Sequence, residues 1–245
     1  MSLEKNKSSS KFGFLAKLNF LQDWASIFIS KINPAVVHNI EKYHTFKKVH
    51  YLSAIENIDG DYLEFGVFTG SSFCHSIRCN RSLFHLNENV KKTRFFGFDS
   101  FSGFGELNDS DIHPFYTDEN FDTDYQAVNK RVRKVAKTTT YQLIKGYFNE
   151  SLAKGSAEMG IEKSKIIFID SDTYSSSDEA LTFCLPTIQI GTYIILDDYF
   201  SYKGSLKKGV AGAFEKFVKS ANCEVRHIFT YGMGGAVFII SDFKK

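Results

Sequence analysis

Two pairs of aspartates follow two successive apolar runs in the second half of the chain. Asp170 and Asp172 come directly after one run, and Asp197 and Asp198 come directly after the next. If the runs are neighbouring strands, the four carboxylates converge, and their mutual repulsion raises their pKa values unless a cation is present. Ligand sets made only of oxygens suit Mg²⁺, Ca²⁺ or Mn²⁺. Capping of the following helices is the alternative for Asp172 and Asp198, but capping needs one acid per helix.

A glycine-rich turn from Glu64 to Ser72 follows an earlier apolar run. Its Glu-x-Gly-x-x-x-Gly spacing departs from the Gly-x-Gly-x-x-Gly of dinucleotide-binding turns. A carboxylate beside glycines suits a ligand with an amino group and no pyrophosphate, such as S-adenosylmethionine. Alone, the turn is weak evidence for a cofactor and is more typical of a plain connection from strand to helix. The next run ends in Asp99, which could accept both hydroxyls of a ribose, and this pairing favours the cofactor.

Five short apolar runs, each followed by turn residues and a helical segment, indicate buried strands. They are Tyr62–Val67, Arg94–Phe98, Tyr141–Ile144, Lys165–Ile169 and Thr192–Leu196. This alternation indicates a parallel sheet covered by helices on both faces, because parallel neighbours need long crossovers. The last two runs, Glu224–Thr230 and Ala236–Ile240, are joined by a short glycine-rich connection, which predicts an antiparallel hairpin. The predicted class is α/β, a doubly wound, mostly parallel seven-stranded sheet with a C-terminal antiparallel hairpin.

The length of 245 residues predicts a single domain, which we place at residues 34–245. It begins with an amphipathic helix from Pro34 to Ile58. Residues 1–33 form an N-terminal extension, partly disordered because residues 1–11 are polar. Between Phe95 and Asn129 the chain has no Lys or Arg and accumulates acids. This stretch predicts either a solvated loop or an acidic lid over the site at 104–126.

Composition excludes several classes of protein. With 30 Lys plus Arg against 28 Asp plus Glu, the net charge of +2 gives no basic excess for nucleic acid or an anionic membrane. No apolar run is long enough for a membrane span or export signal, so we expect a cytoplasmic protein. The four cysteines lack a Cys-x-x-Cys pair and are predicted to be reduced and structural.

Aromatic residues are abundant, with 25 Phe, 12 Tyr and 1 Trp. Ten of them fall at strand ends or in the loops that follow, which predicts that they wall a water-poor cleft. They are Phe65, Phe68, Phe98, Phe101, Phe104, Tyr147, Phe148, Tyr174, Tyr199 and Phe200.

Taken together, the motifs resemble the macrocin O-methyltransferase family, sugar O-methyltransferases of antibiotic biosynthesis that depend on S-adenosylmethionine and a metal. Five stretches carry the resemblance, in the order of the family and over residues 35–240. They are Gly60–Val67, Phe98–Phe104, Lys145–Leu152, Asp170–Ser176 and Asp197–Tyr199. One motif would be weak evidence, whereas five in order are strong.

The resemblance implies a Rossmann-like class I methyltransferase fold that binds S-adenosylmethionine. The implied cofactor residues are Glu64, Gly66, Val67, Phe68, Ser71, Ser72, Asp99, Ser100, Gly146, Tyr147 and Phe148. It further implies that Asp170, Asp197 and Asp198 ligate a divalent cation, Mg²⁺, and that Asp172 is the general base. The cation would lower the pKa of the acceptor hydroxyl before Asp172 takes its proton.

The acceptor is expected to be a small hydroxylated molecule, a sugar, glycoside or other polyol, and the Phe-rich first fifty residues are compatible with a homo-oligomer. Two alternatives stay open. A metal-dependent hydrolase or phosphatase could use the same aspartates, but it would need neither the glycine turn nor a ribose-binding acid. A catalytically silent binding protein would keep the cofactor turn and lose the acids.

Overall fold

The computed structural model describes residues 17–105, 107–108, 111–114, 116 and 121–244. The strands are β1 (Asp61–Phe65), β2 (Phe95–Asp99), β3 (Tyr141–Lys145), β4 (Ser164–Ile169), β5 (Tyr193–Leu196), β6 (Cys223–Tyr231) and β7 (Gly235–Phe243). The longer helices are α1 (Asn19–Lys31), α2 (Pro34–Ile55), α3 (Ser71–Ser82), α5 (Tyr125–Ala136), α8 (Tyr174–Cys184) and α10 (Gly209–Ala221). The short ones are α4 (Glu88–Lys92), α6 (Phe148–Ser151), α7 (Gly155–Glu158) and α9 (Ser201–Gly204).

The described strands form one seven-stranded sheet in the order β3-β2-β1-β4-β5-β7-β6. Strands β1 to β5 run parallel, and β7 is antiparallel to both β5 and β6. The predicted doubly wound sheet with a C-terminal hairpin is therefore confirmed. Because β1, β4 and β5 are consecutive neighbours, the turns after them meet at one edge, where open α/β sheets bind their ligands.

Alternate residues of the central strands point into two separate apolar cores, one on each face of the sheet. Phe65, Ile169 and Leu196 belong to the core that α8 and α10 cover. Tyr62 and Phe168 belong to the core that α2, α3 and α5 cover. Burial on both faces explains why the strands read as near-continuous apolar runs in the sequence.

The predicted amphipathic helix forms as α2, but not all of its apolar residues lie on the buried face. Val36 and Ile40, two of the apolar residues that indicated the helix, are 50% and 63% exposed. The buried face carries Lys42 together with Phe46 and Val49. Hydrophobicity alone does not indicate Lys42 on this face, because it is stabilised there by Asp170 and Asp197 at the edge of the sheet.

The N-terminal extension is described only from residue 17, so the predicted disorder of residues 1–11 lies outside the described part of the chain. Helix α1 has no buried residue, and it exposes Phe20, Trp24 and Phe28. No helix in the described ranges is long and apolar enough to cross a membrane. All four cysteines are buried and unpaired, as predicted.

Gly66 is the tightest point of the sheet edge. Strand β1 ends at Phe65, two residues before its predicted end, because Gly66 turns the chain with a φ of 93°. The Phe65 carbonyl accepts the amide N–H of Asp170 at 2.8 Å. A Cβ at position 66 would overlap the backbone carbonyl of Asp170.

We therefore expect Gly66→Ala to lower the free energy of unfolding by at least about 2 kcal/mol, because the β1 and β4 turns must separate. Urea unfolding followed by circular dichroism measures this loss. Gly155→Ala is the matched control, since Gly155 has a φ of 76° but a Cβ there would meet nothing within 4 Å. It should cost about 1 kcal/mol from backbone strain alone. Equal losses for the two variants would contradict this account of the β1–β4 contact.

Candidate active site

A cleft of about 550 Å³ opens at the carboxyl edge of the sheet. Ten of the predicted site residues line it: Gly66, Phe68, Asp99, Ser100, Tyr147, Phe148, Asp170, Asp172, Asp197 and Asp198. Five predicted cofactor residues lie outside its lining: Glu64, Val67, Ser71, Ser72 and Gly146. The cleft thus joins the predicted cofactor and acid positions in one volume, which lies in the usual size range of small-molecule sites.

Asp99 holds the glycine turn in place. One carboxylate oxygen accepts the amide N–H groups of Val67 and Phe68, both at 2.7 Å, and the other accepts that of Phe101 at 2.6 Å. Burial raises the pKa of Asp99, and these three bonds oppose the rise. An ionised carboxylate offers about four acceptor positions, so little capacity is left for a ribose. Asp99 therefore shapes the turn as well as facing the cleft.

Glu64 lies beneath the turn, completely buried. The hydroxyl of Tyr62 donates to one of its oxygens at 2.5 Å, and that of Ser72 donates to the other at 2.6 Å. Burial raises the pKa of Glu64 to about 8, against the effect of both hydrogen bonds. Glu64 is not among the residues that line the cleft, and its predicted contact with an amino group of the cofactor stays a prediction.

Three carboxylates form a cluster that we call the acidic triad: Asp170, Asp172 and Asp198. One oxygen from each lies within 4.8 Å of the other two, and all three side chains are half-buried. Burial, followed by the charge of Asp197, raises the pKa of Asp170. Burial, followed by the charge of Asp198, raises the pKa of Asp172. A divalent cation that prefers oxygen ligands, such as Mg²⁺ or Ca²⁺, would compensate the negative charge of such a cluster.

Helix capping does not explain Asp172. The N-cap of α8 is Thr173, whose hydroxyl accepts the amide N–H of Ser176 at 3.3 Å. Asp111 accepts the amide N–H of Tyr174 at 2.9 Å. It belongs to residues 104–126, which we call the acidic segment. Asp172 itself has a left-handed φ of 61° and lines the cleft. The capping alternative therefore fails here, and the helix end uses other acceptors.

Asp197 lies beside the triad, linked to Asp170 through Lys42, and is held by three donors, an arrangement that we call the Asp197 clamp. Tyr231 donates its hydroxyl at 2.6 Å, His38 lies at 3.1 Å through Nε2, and Lys42 lies at 2.6 Å through Nζ. His38 Nδ1 accepts the amide N–H of Met233 at 3.2 Å, so Nε2 carries the proton and donates it to Asp197. Burial alone would raise the pKa of Asp197, but Lys42 and His38 hold it below its ordinary value.

Sequence reasoning missed the three partners in the clamp. Lys42 lies three to four residues from Thr45 and Phe46 and seven from Val49, so its place on the buried face of α2 was readable from helical spacing. His38 and Tyr231 gave no comparable signal, because their contact depends on how the C-terminal hairpin meets α2.

The acidic segment packs over the triad in its described part. Tyr116 donates its hydroxyl to Ser201 at 3.1 Å, and Tyr202 donates to the carbonyl of Asp111 at 2.8 Å. Phe104, Tyr116 and Phe121 line the cleft. Residues 106, 109–110, 115 and 117–120 lie outside the described part, and whether 104–126 moves as a lid stays a prediction.

The ten aromatic residues at the strand ends divide into two groups. Phe68, Phe104, Tyr147, Phe148 and Phe200 line the cleft. Phe65, Phe98 and Phe101 are buried in the cores, and Tyr174 and Tyr199 pack against one of them. Five of the ten aromatic residues therefore line the cleft as predicted, and the other five pack in or against the apolar cores.

Comparison with known proteins gives both a family and a fold. A family model described as Macrocin-O-methyltransferase (TylF) matches residues 22–227. The O-methyltransferase NovP has a TM-score of 0.65 at 18% identity, covering 81% of this chain and 79% of that one. The calicheamicin methyltransferase CalS11 has the same score and identity, with coverages of 80% and 77%. A Bacillus cereus O-methyltransferase in complex with SAH has a TM-score of 0.53 at 14% identity, covering 81% of each chain. No curated protein matches the sequence significantly.

Glu64→Gln should remove a pH-dependent loss of stability. The folded pKa of about 8 lies above the ordinary value of 4.5, so the protonated carboxyl stabilises the fold fully below about pH 4.5. That contribution is lost as the pH rises through about 8. The melting temperature of the native chain should therefore fall relative to that of Glu64→Gln between about pH 5 and about pH 9. A difference in melting temperature that stays constant over this range would contradict the burial of an ionisable Glu64.

Proposed function

The chain belongs to the macrocin O-methyltransferase family, and from this membership we propose that it methylates a hydroxyl group of a sugar or glycoside with the help of a divalent cation. The family makes it an S-adenosylmethionine-dependent O-methyltransferase. The acceptor, the cation and the roles of individual residues are the proposed part.

One observation carries the proposal: the glycine turn and the acidic triad open into the same cleft. Gly66 and Asp170 are in backbone register across β1 and β4, so a ligand on the turn lies beside the aspartates. A hydrolase or phosphatase would use the acids without needing the turn, and no feature of the cleft favours that reading. A silent binding protein would not need to retain three crowded carboxylates beside its ligand.

We assign the cofactor to the turn side of the cleft. Gly66, Phe68, Asp99 and Ser100 line that side, and Tyr147 and Phe148 lie near the adenosine end in the arrangement that the resemblance implies. Glu64, Val67, Ser71, Ser72 and Gly146 would support this surface from behind. Their role is then to fix the backbone of the turn, as Ser72 does through Glu64.

The donor set of the triad fits a divalent cation, because it offers only carboxylate oxygens at short mutual distance. Asp170 and Asp198 would hold it, and Mg²⁺ is commonly bound by one or two carboxylates together with waters. When bound, such a cation lowers the pKa of the acceptor hydroxyl and orients its oxygen. Asp197, the third ligand implied by the resemblance, is engaged in the clamp.

Asp172 is our candidate for the general base. Asp170 accepts a hydrogen bond from Lys42, and Asp198 accepts one from Ser201. In contrast, no basic or hydroxyl group among the described residues donates a hydrogen bond to Asp172. Asp172 would take the hydroxyl proton at a carboxylate oxygen while the acceptor oxygen takes the methyl group. The triad thereby positions the base beside the oxygen that it must activate.

The acceptor side of the cleft suits a sugar ring. Phe104, Tyr116, Phe121 and Phe200 supply flat apolar faces, and the aspartates supply hydrogen-bond acceptors for hydroxyl groups. A relative of the same fold, CalS11, is described as a TDP-rhamnose 3'-O-methyltransferase, with a TM-score of 0.56 and 17% identity. We therefore place a glycoside or nucleotide-linked sugar first among acceptors. A cytoplasmic location and a homo-oligomeric state stay predictions from the sequence.

Chelation should separate cofactor binding from turnover. We expect calorimetry to show binding of S-adenosylhomocysteine in EDTA, because none of the residues assigned to the cofactor belongs to the triad. Methyl transfer from labelled cofactor to a panel of nucleotide sugars and glycosides, followed by mass shift, should vanish in EDTA and return with excess Mg²⁺. Full turnover in the presence of EDTA would contradict the metal-assisted mechanism. Failure to bind S-adenosylhomocysteine would contradict the assignment of the cofactor to the glycine turn.

Asp172→Asn should lower kcat about 10² to 10⁴-fold, the usual contribution of a general base. Its affinity for S-adenosylhomocysteine should stay near that of the native chain, because Asp172 lies outside the turn. Asp178→Asn is the matched control, since Asp178 is an acid of α8 whose ion pair with Lys216 lies at the surface. Activity of Asp172→Asn close to that of Asp178→Asn would exclude Asp172 as the base.

A further inference from the structure

Lys42 brings a cation of the chain itself to the acidic edge of the sheet. Its Nζ lies 3.0 Å from Asp170 Oδ2 and 2.6 Å from Asp197 Oδ2, and its side chain is only 10% exposed. We infer that the ammonium group of Lys42 takes the position between Asp170 and Asp197, so that a divalent cation is held on the Asp198 side without Asp197. This inference rests on the proposed function for the presence of a cation site.

The acceptor capacity of Asp197 supports the inference. Oδ2 takes both Lys42 and His38, and Oδ1 takes the hydroxyl of Tyr231. A metal bond to Oδ2 would require one of these donors to leave. If Lys42 left, a buried ammonium would lose the nearer of its two carboxylate partners, which is unfavourable.

The other side of the cluster lacks such compensation. Among the described residues, no Lys, Arg or His forms an ion pair with Asp172 or Asp198. The single hydrogen bond to an Asp198 carboxylate oxygen comes, in the same part of the chain, from the neutral hydroxyl of Ser201. The negative charge that remains for a divalent cation to neutralise is therefore carried by Asp172 and Asp198, and not by the clamp.

A built-in ammonium has a measurable consequence, because a fixed positive charge a few ångströms away opposes a second cation. Lys42 should weaken the affinity of the triad for a divalent cation while it keeps Asp197 in the clamp. Lys42 is in this account a positioning residue. It sets where the cation lies and how tightly it is held, and it does not touch the methyl group.

The test measures Mn²⁺ binding to the full chain saturated with S-adenosylhomocysteine, from the electron paramagnetic resonance signal of free Mn²⁺. Lys42→Met should lower the Kd for Mn²⁺ about tenfold or more, because one positive charge is removed beside the site. Lys48→Met is the control, an exposed lysine of the same helix, and should leave the Kd unchanged.

The double variant Lys42→Met with Asp197→Asn removes one charge of each sign and distinguishes a clamp residue from a ligand. Its Kd for Mn²⁺ should stay close to that of the native chain if Asp197 is not a ligand. It also decides the matter if Lys42→Met alone fails to fold, which a thermal melt detects. A double variant whose Kd rises tenfold or more would overturn the inference, as would an unchanged or weaker affinity in a folded Lys42→Met.

Absence of Mn²⁺ binding in every variant would overturn this inference together with the metal part of the proposed function. Loss of sugar turnover with normal Mn²⁺ binding would count against the proposed acceptor alone. Because the binding experiment needs no acceptor, the two failures are distinguishable.

Discussion

The crowding of four aspartate carboxylates at one edge of the sheet is the constraint on which the rest of the site depends. Strands β4 and β5 are parallel neighbours, so Asp170 and Asp172 must meet Asp197 and Asp198. Like charges so close are tolerated only if other groups compensate them. The carboxylates are compensated in two different ways. Donors of the chain itself compensate Asp197 in the clamp, whereas the triad keeps uncompensated negative charge that faces the cleft.

The backbone contact between β1 and β4 explains why the glycine turn, the proposed cofactor site, lies beside these acids. Gly66 turns where only a residue without a Cβ can pass the carbonyl of Asp170, and Asp99 then fixes the amides of the turn. The turn and the triad therefore line the same cleft. The clamp ties α2 and the C-terminal hairpin to the same edge, so both ends of the domain contribute to the site.

Much of this was accessible from the sequence, for physical reasons. Buried parallel strands must be apolar throughout, which revealed the sheet, and residues after such strands must share an edge, which revealed the acids and the turn. The directions of the side chains were not accessible. The oxygens of Asp197 are occupied by Lys42 and Tyr231, which are 155 and 34 residues away in the sequence. The ion pairs of Lys42 were not accessible for the same reason, since Asp170 and Asp197 are distant from it in the sequence.

The position of a bound cation tests the central claim most directly. A crystal of the full chain grown with S-adenosylhomocysteine and Mn²⁺ would locate the ion by its anomalous scattering. The account predicts a peak bonded to Asp170 and Asp198, with Lys42, His38 and Tyr231 still on Asp197. A peak bonded to Asp197, with Lys42 displaced from it, would contradict the account.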